Sequence, residues 1–125
     1  MSTLANNRNA KQIMREHGLT RSFERTFTLE ELNNTCFIAC HYGSNGRVFI
    51  IPQTNSEPCA ATGTVTVRAR LSGVDEDVVD GVVSLAETFP ATYKKPRFGG
   101  IAEHVVITAD AVAGCDALKV IVERY

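Results

Sequence analysis

The chain has no tryptophan, and its 125 residues include only three histidines and two methionines. Without indole rings, and with only Tyr42, Tyr93 and Tyr125 to offer a polar-tipped ring, it lacks the usual stacking platform of a sugar-binding site. No apolar run approaches the ~20 residues of a membrane span, and Met1 to Arg8 contain no apolar core of a signal peptide. This predicts a soluble protein made in the cytoplasm. Neither sign of charge dominates: thirteen Lys and Arg face fourteen Asp and Glu, a net charge of -1. Such a balance argues against nucleic acid or a membrane as the partner. No two carboxylates stand in segments that would oppose each other across a cleft, which removes the pattern of a glycosidase.

Four cysteines are present, and without a secretory signal they are expected to be reduced. Cys36, Cys40 and His41 form the nearest approach to a metal motif. On an extended strand Cys36 and Cys40 share a face but stand about 13 Å apart, too far for one ion. His41 points away from Cys40 on such a strand, so it cannot activate that thiol. Asp75, Glu76, Asp77 and Asp80 supply oxygen ligands without the spacing of an EF-hand, and read as a solvated acidic loop. The expectation is a protein with no catalytic residue, no metal and no cofactor.

What the sequence does contain is alternation. Gly63 to Leu71 places Val65, Val67, Ala69 and Leu71 on one face and Thr64, Thr66, Arg68 and Arg70 on the other, a strand with one buried side. Ser22 to Thr28 predicts an edge strand with Phe23 and Phe27 on one face, and Thr28 to Glu31 fits a capping box before a single helical turn. Thr35 to Tyr42 and Arg47 to Ile51, flanking Gly43-Ser-Asn-Gly46, predict a hairpin closed by Pro52. Leu71 to Asp77 reads as loop, Val78 to Leu85 as a strand bent at Gly81, and Phe89 to Gly100 as a long irregular connection. Glu103 to Ala109 and Ala117 to Tyr125 predict a final strand pair. The sum is an all-β fold, a single β-sandwich or jelly roll of about six to eight strands over residues 23–125. An extended or partly helical N-terminal arm precedes it over residues 1–22. The predicted core includes Phe37, Val48, Ile50, Val65, Val67, Val106, Leu118 and Val120.

Two segments carry contact chemistry. Residues 1–25 bear Arg8, Lys11, Arg15, Arg21 and Arg25 against Glu16 and Glu24, and the arm over residues 1–23, with Ile13 and Met14 as apolar anchors, is too polar to order itself and is expected to contact other subunits. Tyr93, Lys94, Lys95, Arg97 and Phe98 combine cations and aromatic rings ahead of Gly99 and Gly100 on a predicted surface loop, residue types enriched where proteins touch. The competing view is a solvated tail and an ordinary loop whose Phe98 plugs the core edge. The opposite charges of residues 1–25 and of Asp75 to Asp80 suit packing between copies.

From Gly63-Thr-Val-Thr-Val through Asp80-Gly-Val-Val-Ser-Leu85 to the segment His104 to Arg124, about half the chain resembles small β-sandwich virion proteins of tailed bacteriophages. In that family a hydrophobic strand ending in Thr, a small residue, Val-x-Gly and a terminal strand close the sandwich. The resemblance implies a non-enzymatic structural role, foremost a capsid decoration or cement protein located in the virion after synthesis in the host cytoplasm. It implies a homo-oligomer on the particle, partnered by the major capsid protein or other virion subunits. No family site transfers residue by residue. The alternatives are a small tail or fibre accessory or receptor-binding protein, and a cytoplasmic carbohydrate- or peptide-binding module. The coat proteins of single-stranded RNA phages fit less well, because their two C-terminal helices have no counterpart here.

Overall fold

A computed structural model describes residues 20–87 and 95–125. Nine strands account for most of these residues: β1 (Arg21–Thr28), β2 (Cys36–Ala39), β3 (Asn45–Thr54), β4 (Glu57–Pro58), β5 (Thr62–Leu71), β6 (Val74–Ser84), β7 (Arg97–Gly99), β8 (His104–Ala113) and β9 (Ala117–Arg124). Every pairing is antiparallel. The sheet runs β1-β9-β3-β7-β6-β5-β8-β2, with β4 paired to β3. Its two outer strands approach each other, and Arg25 Nη1 on β1 donates to the Phe37 carbonyl on β2 at 3.3 Å. The sheet therefore nearly closes on itself as a barrel, with nine strands where six to eight were expected. Among the described residues there is no α-helix; two single turns of 3-10 helix lie at Glu31–Asn33 and Leu85–Glu87.

Local signals hold. Phe27 is buried on β1 with Phe23 packed against the core. The Thr28 backbone N–H donates to Glu31 Oε1 at 2.9 Å, and the Glu31 N–H to Thr28 Oγ1 at 3.2 Å, the reciprocal bonds of a capping box. Val65 and Val67 face inward on β5, but Leu71 at its end is exposed.

The pairings chosen from sequence do not hold. The segments flanking Gly43 to Gly46 form no hairpin: β2 pairs with β8, and β3 with β9 and β7. Gly43 sits at φ +65, where a Cβ would come within 2.9 Å of the Tyr125 carbonyl oxygen, so the connection wraps the end of β9 instead of folding back. Pro52 lies inside β3 rather than at its end; its carbonyl accepts from Cys59 N at 3.0 Å, so its missing N–H faces the side where β4 offers only two residues. The expected final pair is also absent: β8 pairs with β5 and β2, whereas β9 lies between β1 and β3.

The acidic stretch is strand, not loop. Ser72 (φ 53) and Gly73 (φ 77) make a two-residue turn with both φ positive, and Val74 to Asp77 pair back onto Leu71 to Arg68. β6 then bulges: Thr66 faces Val82 and Arg68 faces Asp77, so Val78 to Gly81 stand opposite Val67 alone. The bulge carries the expected bend at Gly81 and swings Val79 out to pair with Arg97 on β7, a strand inside the connection expected to be irregular. That single pair joins the two halves of the sheet.

Of the predicted core, Val48, Ile50, Val65, Val67, Leu118 and Val120 pack together. Phe37 does not, because β2 turns Cys36 and Ile38 inward. It lies half-buried on the outer face opposite Val106, which is buried there beneath it rather than in the central cluster. The two neighbours Phe37 and Ile38 are both apolar, so composition left the parity of the strand open, and parity decides the face. Truncation of the fully buried Val67 to Ala is expected to cost about 1 to 3 kcal/mol in urea or thermal unfolding, and Arg68→Ala, which loses an exposed ion pair to Asp77, under about 1 kcal/mol.

Candidate functional site

On β9 the inward series Leu118, Val120, Val122 continues to Arg124, whose side chain is 0 % exposed. A guanidinium at an apolar position must find acceptors. Arg124 finds backbone carbonyls: Nε donates to Tyr42 O, and Nη2 to Gly43 O at 3.1 Å and Gly100 O at 2.9 Å. The Phe98 ring covers its face at 4.8 Å from the guanidinium carbon. Nη1 has no hydrogen-bond partner. Gly46 makes room for this arrangement, since a Cβ there would lie 2.3 Å from the Phe98 ring. Burial pushes the Arg124 pKa down from its ordinary value, with nearby Cys40 acting the other way.

Arg124 thus seals one rim of the barrel. The same rim gathers the start of β1, where Arg21 pairs with Arg124, the start of β3, β7, and the end of β5, where Arg70 pairs with His104 ahead of the turn to β6. Glu103 ties that turn down: its N–H donates to Arg70 O at 2.8 Å, and its carboxylate accepts from Ser72 N at 3.0 Å. Between the turn and β7 lies an open groove of about 180 Å³. Leu71, Val74, Val78, Phe98 and Ile101 supply its apolar lining, with Arg70, Glu76 and Asp77 as charged neighbours. Leu71, Val74 and Ile101 are 41, 62 and 63 % exposed.

Ion pairs tie the two strands of the β5–β6 ribbon together beside the groove. The Arg70 guanidinium takes both oxygens of Asp75 and also lies 4.7 Å from the Phe37 ring centre. Arg68 Nε meets Asp77 Oδ1 at 3.1 Å, although the Asp77 side chain remains 91 % exposed. The hydrogen bond from Arg70 is the main reason the Asp75 pKa falls below its ordinary 3.8.

Among the contact residues chosen from sequence, Arg8, Lys11, Ile13, Met14, Arg15, Tyr93 and Lys94 lie outside the described residues. Arg21 stacks on the Tyr42 ring at 4.7 Å, and Lys95 stands 5.1 Å from the Phe49 ring. Arg97 reaches Asp80 at 4.0 Å, and Phe98 is half-buried between Arg124 and the groove. The structure brings Phe98 to the rim and leaves Arg97 on the adjoining surface. Leu71, Val74, Ile101 and Arg124 were not singled out. The signal for Arg124 was its parity with Val120 and Val122; that for Leu71 and Val74 was their place astride a Ser-Gly turn.

The thiols are placed for packing. Cys36, Cys40 and Cys115 are buried, and burial is the first cause that raises each pKa, so all three are neutral and weakly nucleophilic at neutral pH. Among the described residues no three His, Cys, Asp or Glu side chains gather as metal ligands would. The chain matches no known family model and no curated protein.

Replacing Arg124 by Leu recovers the cost of burying a charge but strips three carbonyls of their donors. The second effect is the larger, and unfolding in urea is expected to show a loss of about 2 to 4 kcal/mol. Arg124→Lys should restore less than half, because an ammonium cannot reach three separated acceptors as a planar fork does; a change within about 0.5 kcal/mol would contradict the role given to the clamp. Asp75 predicts a pH dependence. Its folded pKa is depressed, so its contribution is complete above 3.8 and is lost as pH falls through the lower folded value. Acid unfolding of Asp75→Asn should lack that component, and carbon NMR of the Asp75 carboxyl should titrate below 3.8.

Proposed function

We propose that this chain is a non-enzymatic structural subunit that works by assembling with other protein subunits, as the decoration or cement proteins of tailed bacteriophages do, with the rim groove as a subunit contact. The observation that carries the reading is the apolar surface at that groove. Single exposed hydrophobics are ordinary; Leu71, Val74 and Ile101 exposed around one depression, bordered by charge, are the pattern of a docking site. At about half exposure each, covering them contributes roughly 1 kcal/mol apiece, enough to shift binding by two orders of magnitude together.

The setting comes from the likeness of the C-terminal half to phage virion proteins. Within it the partners are the major capsid protein or other virion subunits, the protein is homo-oligomeric on the particle, and the strands follow the sandwich or jelly-roll plan of that family. Many identical weak contacts across a shell suit such a subunit, because multivalency multiplies modest affinities.

The test uses shells that lack this protein. Adding the purified chain should decorate them and raise their resistance to heat or osmotic shock, since a ligand of the assembled state stabilises that state. The double variant Val74→Asp with Ile101→Asp should melt as the wild type does and lose at least about tenfold in occupancy. Undiminished decoration by the variant would refute the groove as a contact. Specific glycan binding by the isolated monomer would favour a recognition module instead.

A further inference from the structure

We propose that an extended segment of a partner subunit adds as a strand between β6 and β7, its side chains in the order apolar, polar, cationic, polar, apolar; the inference rests on the reading of the groove as a subunit contact. Two strand edges face each other there unpaired. The Arg70 carbonyl accepts from the Glu103 N–H on the β8 side, so Arg70 turns its backbone groups away from β6. In an antiparallel ladder its partner Asp75 then also points N–H and C=O outward, and so does Asp77 two residues on. On β7 the Pro96 carbonyl accepts from Val48 N at 2.9 Å and the Gly100 N–H donates to Ser44 O, so the alternate residues Arg97 and Gly99 turn toward β6. Arg97 pairs with Val79. The next pair in that register, Asp77 with Gly99, is not made, and among the described residues no strand takes up either edge.

The clamp at the rim keeps these edges apart. Arg124 Nη2 donates to Gly100 O and the Gly100 N–H is bound to Ser44, so the chain after β7 is tied to β9 and the start of β3 instead of following β6. The groove opens in the fork between the two strands. Unpaired donors and acceptors along a strand edge are satisfied by a further strand. Gly99 carries no side chain to hold such a strand off, and glycine in a strand admits the close approach of a second backbone. An inserted segment would turn the single-pair junction into a continuous ladder.

Parity and charge set the chemistry of the segment. Val74, Glu76 and Val78 share the groove face of β6, because Glu76 lies opposite Ala69, on the same side of β5 as the buried Val65 and Val67. Glu76 makes no ion pair among the described residues, and apolar side chains stand on either side of it. The residue of the incoming strand opposite Glu76 is therefore Lys or Arg, and those opposite Val74 and Val78, two places away, are apolar. On the other face Asp75 and Asp77 already hold Arg70 and Arg68, so the intervening residues are polar and uncharged. A carboxylate opposite Glu76 would be repelled.

The probe is the peptide acetyl-Thr-Val-Thr-Lys-Thr-Val-Thr-amide, titrated into the isotope-labelled full-length chain and followed by NMR. It should bind with a dissociation constant below about 1 mM and slow amide exchange at Asp75, Asp77 and Gly99. The same peptide with Glu in place of Lys should bind at least about tenfold more weakly, and Glu76→Lys should reverse that order. No binding at millimolar peptide, or binding without protection of Asp77 and Gly99, would overturn the added strand. On shells that lack this protein, Asp77→Pro removes an N–H that β5 does not use and so blocks the edge, whereas Asp77→Ala leaves it open. The Pro variant should lose at least about tenfold in occupancy and the Ala variant should decorate as the wild type does. A loss shared by both would assign the effect to the carboxylate and overturn the role of the edge. Normal decoration by both, with Val74→Asp, Ile101→Asp still failing, removes the strand and leaves the groove as a contact. Normal decoration by that groove variant, with peptide binding intact, does the reverse.

Discussion

The Arg124 guanidinium holds the rim of this barrel together. It joins the link between β2 and β3, at Tyr42 and Gly43, to the residue that follows β7, at Gly100, and it does so from the last turn of the pleat on β9. Backbone bonds already join these segments, from the Gly100 N–H to Ser44 O and between Asn45 and Tyr125, and the side chain adds donors to the carbonyls of Tyr42, Gly43 and Gly100 beside that pairing. Among the described residues no carboxylate pairs with it. Carbonyl dipoles and the face of Phe98 take that place, an environment that a planar five-donor cation satisfies and an ammonium does not. Because β7 is only three residues long and carries Phe98, the floor of the groove depends on the same interaction.

Two weak lines run along the barrel. One is the β6–β7 junction, a single pair created by the bulge opposite Val67. The other is the seam between β1 and β2, bridged by Arg25 to Phe37 O with no ladder beside it. Local opening is expected at such lines before the ladders β3–β9 and β5–β8 separate, since few bonds hold them. The groove abuts the first line. The proposed contact surface therefore lies next to the part of the sheet that adjusts most easily.

Much of the fold was legible where the cause is local. The Thr28 and Glu31 cap, the alternation of β5, and the inward valines and isoleucines of β3 and β9 all follow from spacing over a few residues. Pairing was not legible, because it is settled by distant partners. Gly43 to Gly46 has the composition of a hairpin turn whether or not the chain folds back, and here the end of β9 occupies the place where the second strand would return. The acidic strand was legible in principle: Arg68 and Arg70 face Asp77 and Asp75 across Ser72-Gly73, a charge match about a two-residue turn. The groove was the least legible part. Leu71, Val74 and Ile101 have the composition of core, and only the topology shows that the rim leaves them outside. The cations chosen from sequence within the barrel, Arg21, Lys95 and Arg97, lie against an aromatic ring or a carboxylate of their own chain.

The central proposal is that the sealed rim is the face by which this protein meets other subunits. Hydrogen–deuterium exchange compared between the free protein and the protein bound to shells that lack it tests this most directly. The account predicts added protection at Leu71 to Glu76 and at Phe98 to Ile101 on binding, with no change at the opposite end around Asp116. Protection that is absent, or that appears only around Asp116, would contradict it.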